Sequence, residues 1–137
     1  MPTFSQTVPA TVQITTTAIN LAQGEPATLT ASGQWNIYGD PNRNCGPAGS
    51  GVTANNPSVH PGSSWPQAGI SEGCLLVYVN NGIVGHFTSD SFVVTGPGVV
   101  GFGPNDDWLS DNYWLAYGEL LLLSTPGFNI LWFCVAD

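Results

Sequence analysis

Glycine and proline punctuate this chain so densely that a helix of useful length has nowhere to form. Seventeen glycines and eleven prolines are spread over 137 residues. Each glycine loosens the backbone and each proline removes an amide donor, so helical runs are interrupted every few residues. The segments between these breaks alternate in polarity or are β-branched. Residues 11–19 (TVQITTTAI) and 26–31 (PATLTA) put apolar and polar side chains on opposite faces at period two, the pattern of half-buried strands. Residues 75–79 (LLVYV) run into Asn80-Asn81-Gly82, whose Asn-Gly pair is the strongest short hairpin signal because both residues tolerate positive φ. Residues 92–95, 98–103, 118–124 and 129–135 read as further strands, giving seven or eight in all. That pattern predicts an all-β, small jelly-roll-like β-sandwich forming a single domain over 1–137. A chain of this length buries roughly two-thirds of its unfolded surface, enough for a real core. The apolar run 120–123 predicts a strand covered on both faces or lying at a subunit interface. One stretch, 39–73, does not read as strand, and excursions of that length inside a compact domain are usually functional.

Charge narrows the function. Only 7% of residues are charged, against roughly a quarter in an average soluble domain. One base, Arg43, faces nine acids, for a net charge of −8. Such a chain cannot neutralise phosphates, which excludes nucleic acid as a partner. An anionic bilayer repels it, and no apolar run is long enough for membrane insertion. Clustered carboxylates instead favour a divalent cation. Residues 1–10 contain no basic stretch followed by an apolar one, so a classical secretion signal is not expected; the cytoplasm or a non-classical release route remain. Cys45, Cys74 and Cys134 match neither a zinc set nor an even disulfide framework, leaving one bridge plus a thiol, or three thiols.

The sharpest local feature is Asn105-Asp106-Asp107-Trp108-Leu109-Ser110-Asp111-Asn112, three carboxylates and two amides within eight residues. Like charges this close repel unless a cation or wide solvation separates them. Carboxylate, amide and main-chain oxygens are the hard ligands Ca²⁺ takes, about six to eight per ion. The spacing is not that of an EF-hand. It suits a folded-back loop with Asp106 on one side and Asp111 and Asn112 on the other, or else a solvated acidic turn.

In the order of its features the chain resembles the PA-IL galactophilic lectins and related modules attached to glycosidases. The features are a strand pair turning at Gln23-Gly24-Glu25-Pro26 with the ATLTASG that follows, then Trp35, Tyr38 and Gly39, then Gly46-Pro47-Ala48-Gly49. His60-Pro61, the strand at 73–77, and Asn105-Asp106 with Asp111-Asn112 complete it, across roughly residues 11–124. The resemblance implies a bound Ca²⁺ held by main-chain carbonyls at Tyr38 and near Leu109, by the Asp106 carboxylate, and by Asp111 and Asn112. Two vicinal hydroxyls of a galactose-type sugar would complete its shell, with His60 and Pro61 over the O6 edge. A glutamine usually assists; Ser63 stands at the family's place, and Gln67 is the nearest candidate. Asp107 is expected beside the sugar. The chain also departs from the family by inserting residues 113–117 after Asn112 and extending past its usual end over 128–137.

Flat rings stack on the apolar face of a pyranose. Trp65 and Trp108, in polar surroundings, are expected sugar contacts; Trp35 and Trp132, inside strands, are expected in the core. His86 reads as a structural or exposed histidine. The function implied is a Ca²⁺-dependent lectin, not an enzyme, for galactose-type mono- or oligosaccharides and glycoconjugates. Weak single sites favour multivalency, hence a homodimer or homotetramer, with 119–124 and 130–135 as candidate interface strands. The alternatives are a small glycoside hydrolase using two of Asp106, Asp107 and Asp111, and a structural Ca²⁺-binding β-domain.

Overall fold

The computed structural model of the protein describes residues 3–37, 44–56, 58–60, 62–109 and 128–134. The strands nest. The hairpin of β6 (Leu75–Val79) and β7 (Gly82–His86) forms the tip, and around it β3 (Pro26–Ser32) pairs with β8 (Ser91–Thr95). Outside these, β2 (Thr15–Leu21) pairs with β9 (Gly98–Pro104), and β1 (Thr3–Val8) with β10 (Phe128–Cys134). This antiparallel ribbon is rolled up by two further pairings, β10 with β3 and β6 with β9. The result is two four-stranded sheets, ordered β1-β10-β3-β8 and β2-β9-β6-β7. An eight-stranded double sheet of this connectivity is a jelly roll, as the sequence pattern predicts. A two-stranded ribbon of β4 (Trp35–Asn36) and β5 (Asn44–Cys45) stands beside it.

The main core lies between the sheets. Ala27, Leu29, Ala31 and Val94 of one sheet meet Ile19, Leu21, Leu75, Val77, Val100 and Phe102 of the other, and Trp35 joins them fully buried. Strand β6 is buried on its other face as well, where Cys74, Leu76 and Tyr78 pack under Ile14, Ile70 and Ile83. The continuous apolar run LLVYV therefore serves two cores. Glycines make the second one possible. A Cβ on Gly103 would sit 1.9 Å from the Gln13 carbonyl oxygen, so residue 13 can cross the outer face of β9 only because that position has no side chain.

The crossing also explains where the sequence pattern overreached. Residues 11–19 alternate like one strand, but β2 begins at Thr15, because the residues before it turn across β9 instead of pairing with it. Strands β3, β8, β9 and β10 lie within a residue of their expected bounds, and β6 matches. Strand β1 was not anticipated, since its partner lies at the far end of the sequence. The hairpin turn is the Asn80-Asn81 pair, at φ 50° and 66°, and Gly82 opens β7 rather than closing the turn. The 22–25 turn joins β2 to β3 across the two sheets, so those strands are not a hairpin. The strand expected at 118–124, with its apolar run, lies outside the described residues.

Antiparallel nesting gathers the connections by length. Turns 22–25, 80–81 and 96–97 close one end of the sandwich. Connections 9–14, 33–74 and 87–90, and the chain leaving β9 at 105, all emerge at the other. Both segments that the sequence marked as functional are thus brought to one end.

Candidate functional site

The excursion between β3 and β6 is not the open loop its composition predicts. Besides β4 and β5, its two arms run as a ribbon. Ser50 and Ala54 donate main-chain bonds to Glu72 and Ile70, and Gly69 and Glu72 donate back to Ala54 and Val52. The Gly46-Pro47-Ala48-Gly49 segment is a tight turn closed by Gly49 N–H on Gly46 O (3.0 Å), and its Pro47 carbonyl accepts from Leu75. Its role is structural. Gly49 has φ 88°, and a Cβ there would lie 2.4 Å from Ser71 Oγ and 2.9 Å from Cys74 N.

Asn105 fastens this excursion to the end of β9. Fully buried, it donates from Nδ2 to the carbonyls of Gln67 (2.9 Å) and Ser71 (3.1 Å), and its Oδ1 accepts from Gln67 N–H (3.1 Å). Its main chain adds bonds to Gly73 and Cys74. These bonds use both N–H donors and one of the two Oδ1 lone pairs, and full burial keeps the amide from a ligand, so its part is to fix where the next residues begin. The buried Asp106 accepts from Trp108 N–H at Oδ1 (3.2 Å), an Asx turn that bends the chain back on itself.

Two more contacts close the gap between the loops. Ser58 donates its hydroxyl to Asp107 Oδ2, and the same hydroxyl accepts from His60 N–H (3.0 Å). The His60 and Trp108 rings stack at 4.8 Å, tilted only 14°. Trp108 remains 40% exposed, so the pair forms an aromatic ledge open to solvent.

Beneath this ledge lies a drier layer. Trp35 Nε1 donates to Gly73 O (2.8 Å), and the Cys45 thiol contacts the same carbonyl (3.7 Å). Burial pushes the Cys45 thiol up to about 12; its bond to Trp35 opposes the shift, and the nearby Asp106 charge adds to it. Cys74 is likewise raised to about 12 by burial and by Cys45. Both are free thiols, packed on opposite faces of the β6 sheet.

Of the residues predicted for the site, the structure brings together Asp106, Asp107, Trp108 and His60, with half-buried Leu109 one residue further on. Gln67 is adjacent through Asn105; its main chain is pinned and its side chain exposed. Trp65 is half-buried and packs against the main core, with its N–H on Asn56 Oδ1 (3.0 Å). Tyr38, Pro61, Asp111 and Asn112 lie outside the described residues. Among the described residues no group of three or more His, Cys, Asp or Glu side chains is gathered. Sequence reasoning missed Ser58 and Asn56, which carry no signal beyond polarity, and it read Asn105 only as part of an acidic motif. No protein-family model and no curated protein matches the chain.

Proposed function

We propose that the protein is a non-enzymatic, Ca²⁺-dependent carbohydrate-binding module that takes galactose-type sugars through a vicinal diol. The observation that carries this reading is the convergence of two loops far apart in sequence, joined by Ser58 on Asp107 and by the His60–Trp108 stack. An exposed aromatic ledge beside carboxylates suits a ligand with one apolar face and several hydroxyls.

The donor chemistry available fits calcium. The carboxylate of Asp106 and the carbonyl of Leu109 are hard oxygens, three residues apart on a loop bent by the Asx turn at 106–108. With them, the Tyr38 carbonyl, Asp111 and Asn112 would hold the ion, which when bound supplies coordination places for two neighbouring hydroxyls. The protein's own groups do the rest. Asn105 sets the position of Asp106, Ser58 restrains Asp107, and His60 and Trp108 offer the ring surface.

Binding is favoured over glycoside hydrolysis because Asp106 and Asp107 are neighbours on one loop and would meet a substrate from the same side. Hydrolysis needs two carboxyls facing a glycosidic bond from opposite sides. Subunit association would add avidity to a shallow site. The test is chromatography on immobilised galactose. Retention with millimolar Ca²⁺ and elution by EDTA are expected; passage straight through the column, or retention indifferent to EDTA, defeats the reading.

A further inference from the structure

A second depression, of about 260 Å³, opens on the outer face of the β2-β9-β6-β7 sheet. It is lined by Gln67, Ile70, Ile83, Val84, Gly85 and His86. Its floor is rigid, because Ile70 and Ile83 pack directly onto Cys74, Leu76 and Tyr78. Its rim is polar, with the exposed Gln67 amide and the half-buried His86 imidazole at the mouth. Apart from the imidazole it contains no ionisable group.

Those features select the ligand class. An amide both donates and accepts, and an imidazole brings two ring nitrogens to hydrogen bonding. Together with an aliphatic floor they match a neutral ring carrying hydroxyls on its edge and C–H groups on its face. A phosphate or sulfate would find no guanidinium or ammonium here. The volume is below that of drug-sized pockets, roughly 300–1,000 Å³, and is of the order of one sugar ring.

The placement links this depression to the site above. Gln67 is held at both its N–H and its carbonyl by Asn105, the residue immediately before Asp106. Strands β9, β6 and β7 are consecutive neighbours, so two inter-strand spacings separate the end of β9 from His86, about 10 Å. One or two glycosidic linkages cross that distance. We infer that the Gln67–His86 depression is a second saccharide subsite, and that the natural ligand is a galactose-terminated oligosaccharide whose next units extend from the ion site across β6 onto β7. This rests on the carbohydrate reading proposed above.

The experiment is calorimetric titration of the full chain in Ca²⁺ with methyl β-galactoside and with a panel of galactose-terminated di- and trisaccharides. At least one oligosaccharide is expected to bind about ten-fold tighter than the methyl galactoside. His86→Ala should remove about five-fold of that gain, the worth of one hydrogen bond, and leave methyl galactoside affinity unchanged, and Gln67→Ala should remove a similar share of the gain. Because the Gln67 side chain is exposed and only its main chain is stapled, Gln67→Ala should melt like the parent, which separates loss of contact from loss of fold. Oligosaccharides that bind no tighter than the methyl galactoside overturn the subsite and leave the monosaccharide reading intact, as do variants that keep the full gain. A chain that binds no sugar in Ca²⁺ overturns both.

Discussion

The two ends of the sandwich are closed by different kinds of bond. At the turn end the bonds are exposed or run between main chains. Glu25 N–H reaches Ala22 O and Ala22 N–H reaches the Glu25 carboxylate three residues on, while Gly96 bonds the main chains of Gly24 and Glu25, and Asn80 bonds Val99. At the loop end the closing bonds span 49 residues for Ser58–Asp107, 38 for Asn105–Gln67 and 38 for Trp35–Gly73. Local turns follow from residue type, whereas long-range polar staples need the finished fold. The end that carries the candidate site is therefore the end whose geometry rests on a few buried polar groups.

The largest expected effect is an alkaline weakening of the loop end. Cys45 and Cys74 flank Gly73 there, and burial raises each from an ordinary 9.0 to about 12. A thiol whose folded value is raised keeps its full contribution below pH 9 and loses it as pH climbs toward 12, because the unfolded chain ionises first. The slope is about 1.4 kcal/mol per pH unit for each thiol, hence about 5 kcal/mol for the pair by pH 11. Buried Tyr78, also raised, acts with the same sign at higher pH. Urea midpoints measured from pH 8 to 11 should fall steeply above 9, and Cys74→Ala should roughly halve that slope. A flat profile to pH 11 would show that the layer beneath the ledge is wet.

Next in size is the staple itself. Asn105→Ala leaves one amide N–H and two carbonyls without their partner in a part-buried place and empties a fully buried one, and should cost about 3 kcal/mol in a denaturant melt. The turn-end counterpart, Asn81→Ala, loses only the tolerance of a left-handed φ of 66°, about 1 kcal/mol. Equal costs would erase the distinction between the two ends. If the site depends on the staple, the Asn105 variant should also lose Ca²⁺-dependent retention on galactose while the Asn81 variant keeps it.

What could be read from the sequence divides along the same line. The β6 strand and a reversal straight after it were legible because each is dictated by neighbours in the chain, although Asn80-Asn81 rather than the Asn81-Gly82 pair makes the turn. The late start of β2 was not, because it follows from an absent side chain at Gly103, almost ninety residues away, as residue 13 crosses there. At the site, the resemblance pointed to His60 and Asp106, the run of acids to Asp107 and the polar setting to Trp108; these four lie together, while Tyr38, Pro61, Asp111 and Asn112 fall outside the described residues. Nothing in the sequence singled out Ser58 as their link, since one serine among many carries no mark of a partner 49 residues away. The ribbon within 44–73 was hidden for a related reason. Its arms are short, glycine-rich and paired with each other rather than with a sheet.

Two glycines allow the comparison to be made at constant chemistry. Gly24 at the turn end and Gly49 at the loop end both hold positive φ, 75° and 88°, so alanine at either pays the same left-handed strain of about 1 kcal/mol. Their surroundings differ. A Cβ on Gly24 meets nothing within 4 Å, whereas one on Gly49 lies 2.4 Å from Ser71 Oγ, 2.8 Å from Glu72 O and 2.9 Å from Cys74 N. The serine hydroxyl can rotate, but the two main-chain atoms belong to the segment that Asn105 holds against β9 and cannot withdraw without loosening it. Overpacking of that kind costs roughly 1–3 kcal/mol beyond the strain. Gly49→Ala should thus destabilise by about 2 kcal/mol more than Gly24→Ala, read as the difference between their urea midpoints. Matching losses would mean that the Ser71–Cys74 segment yields freely, and that the loop end is no more tightly determined than a surface turn.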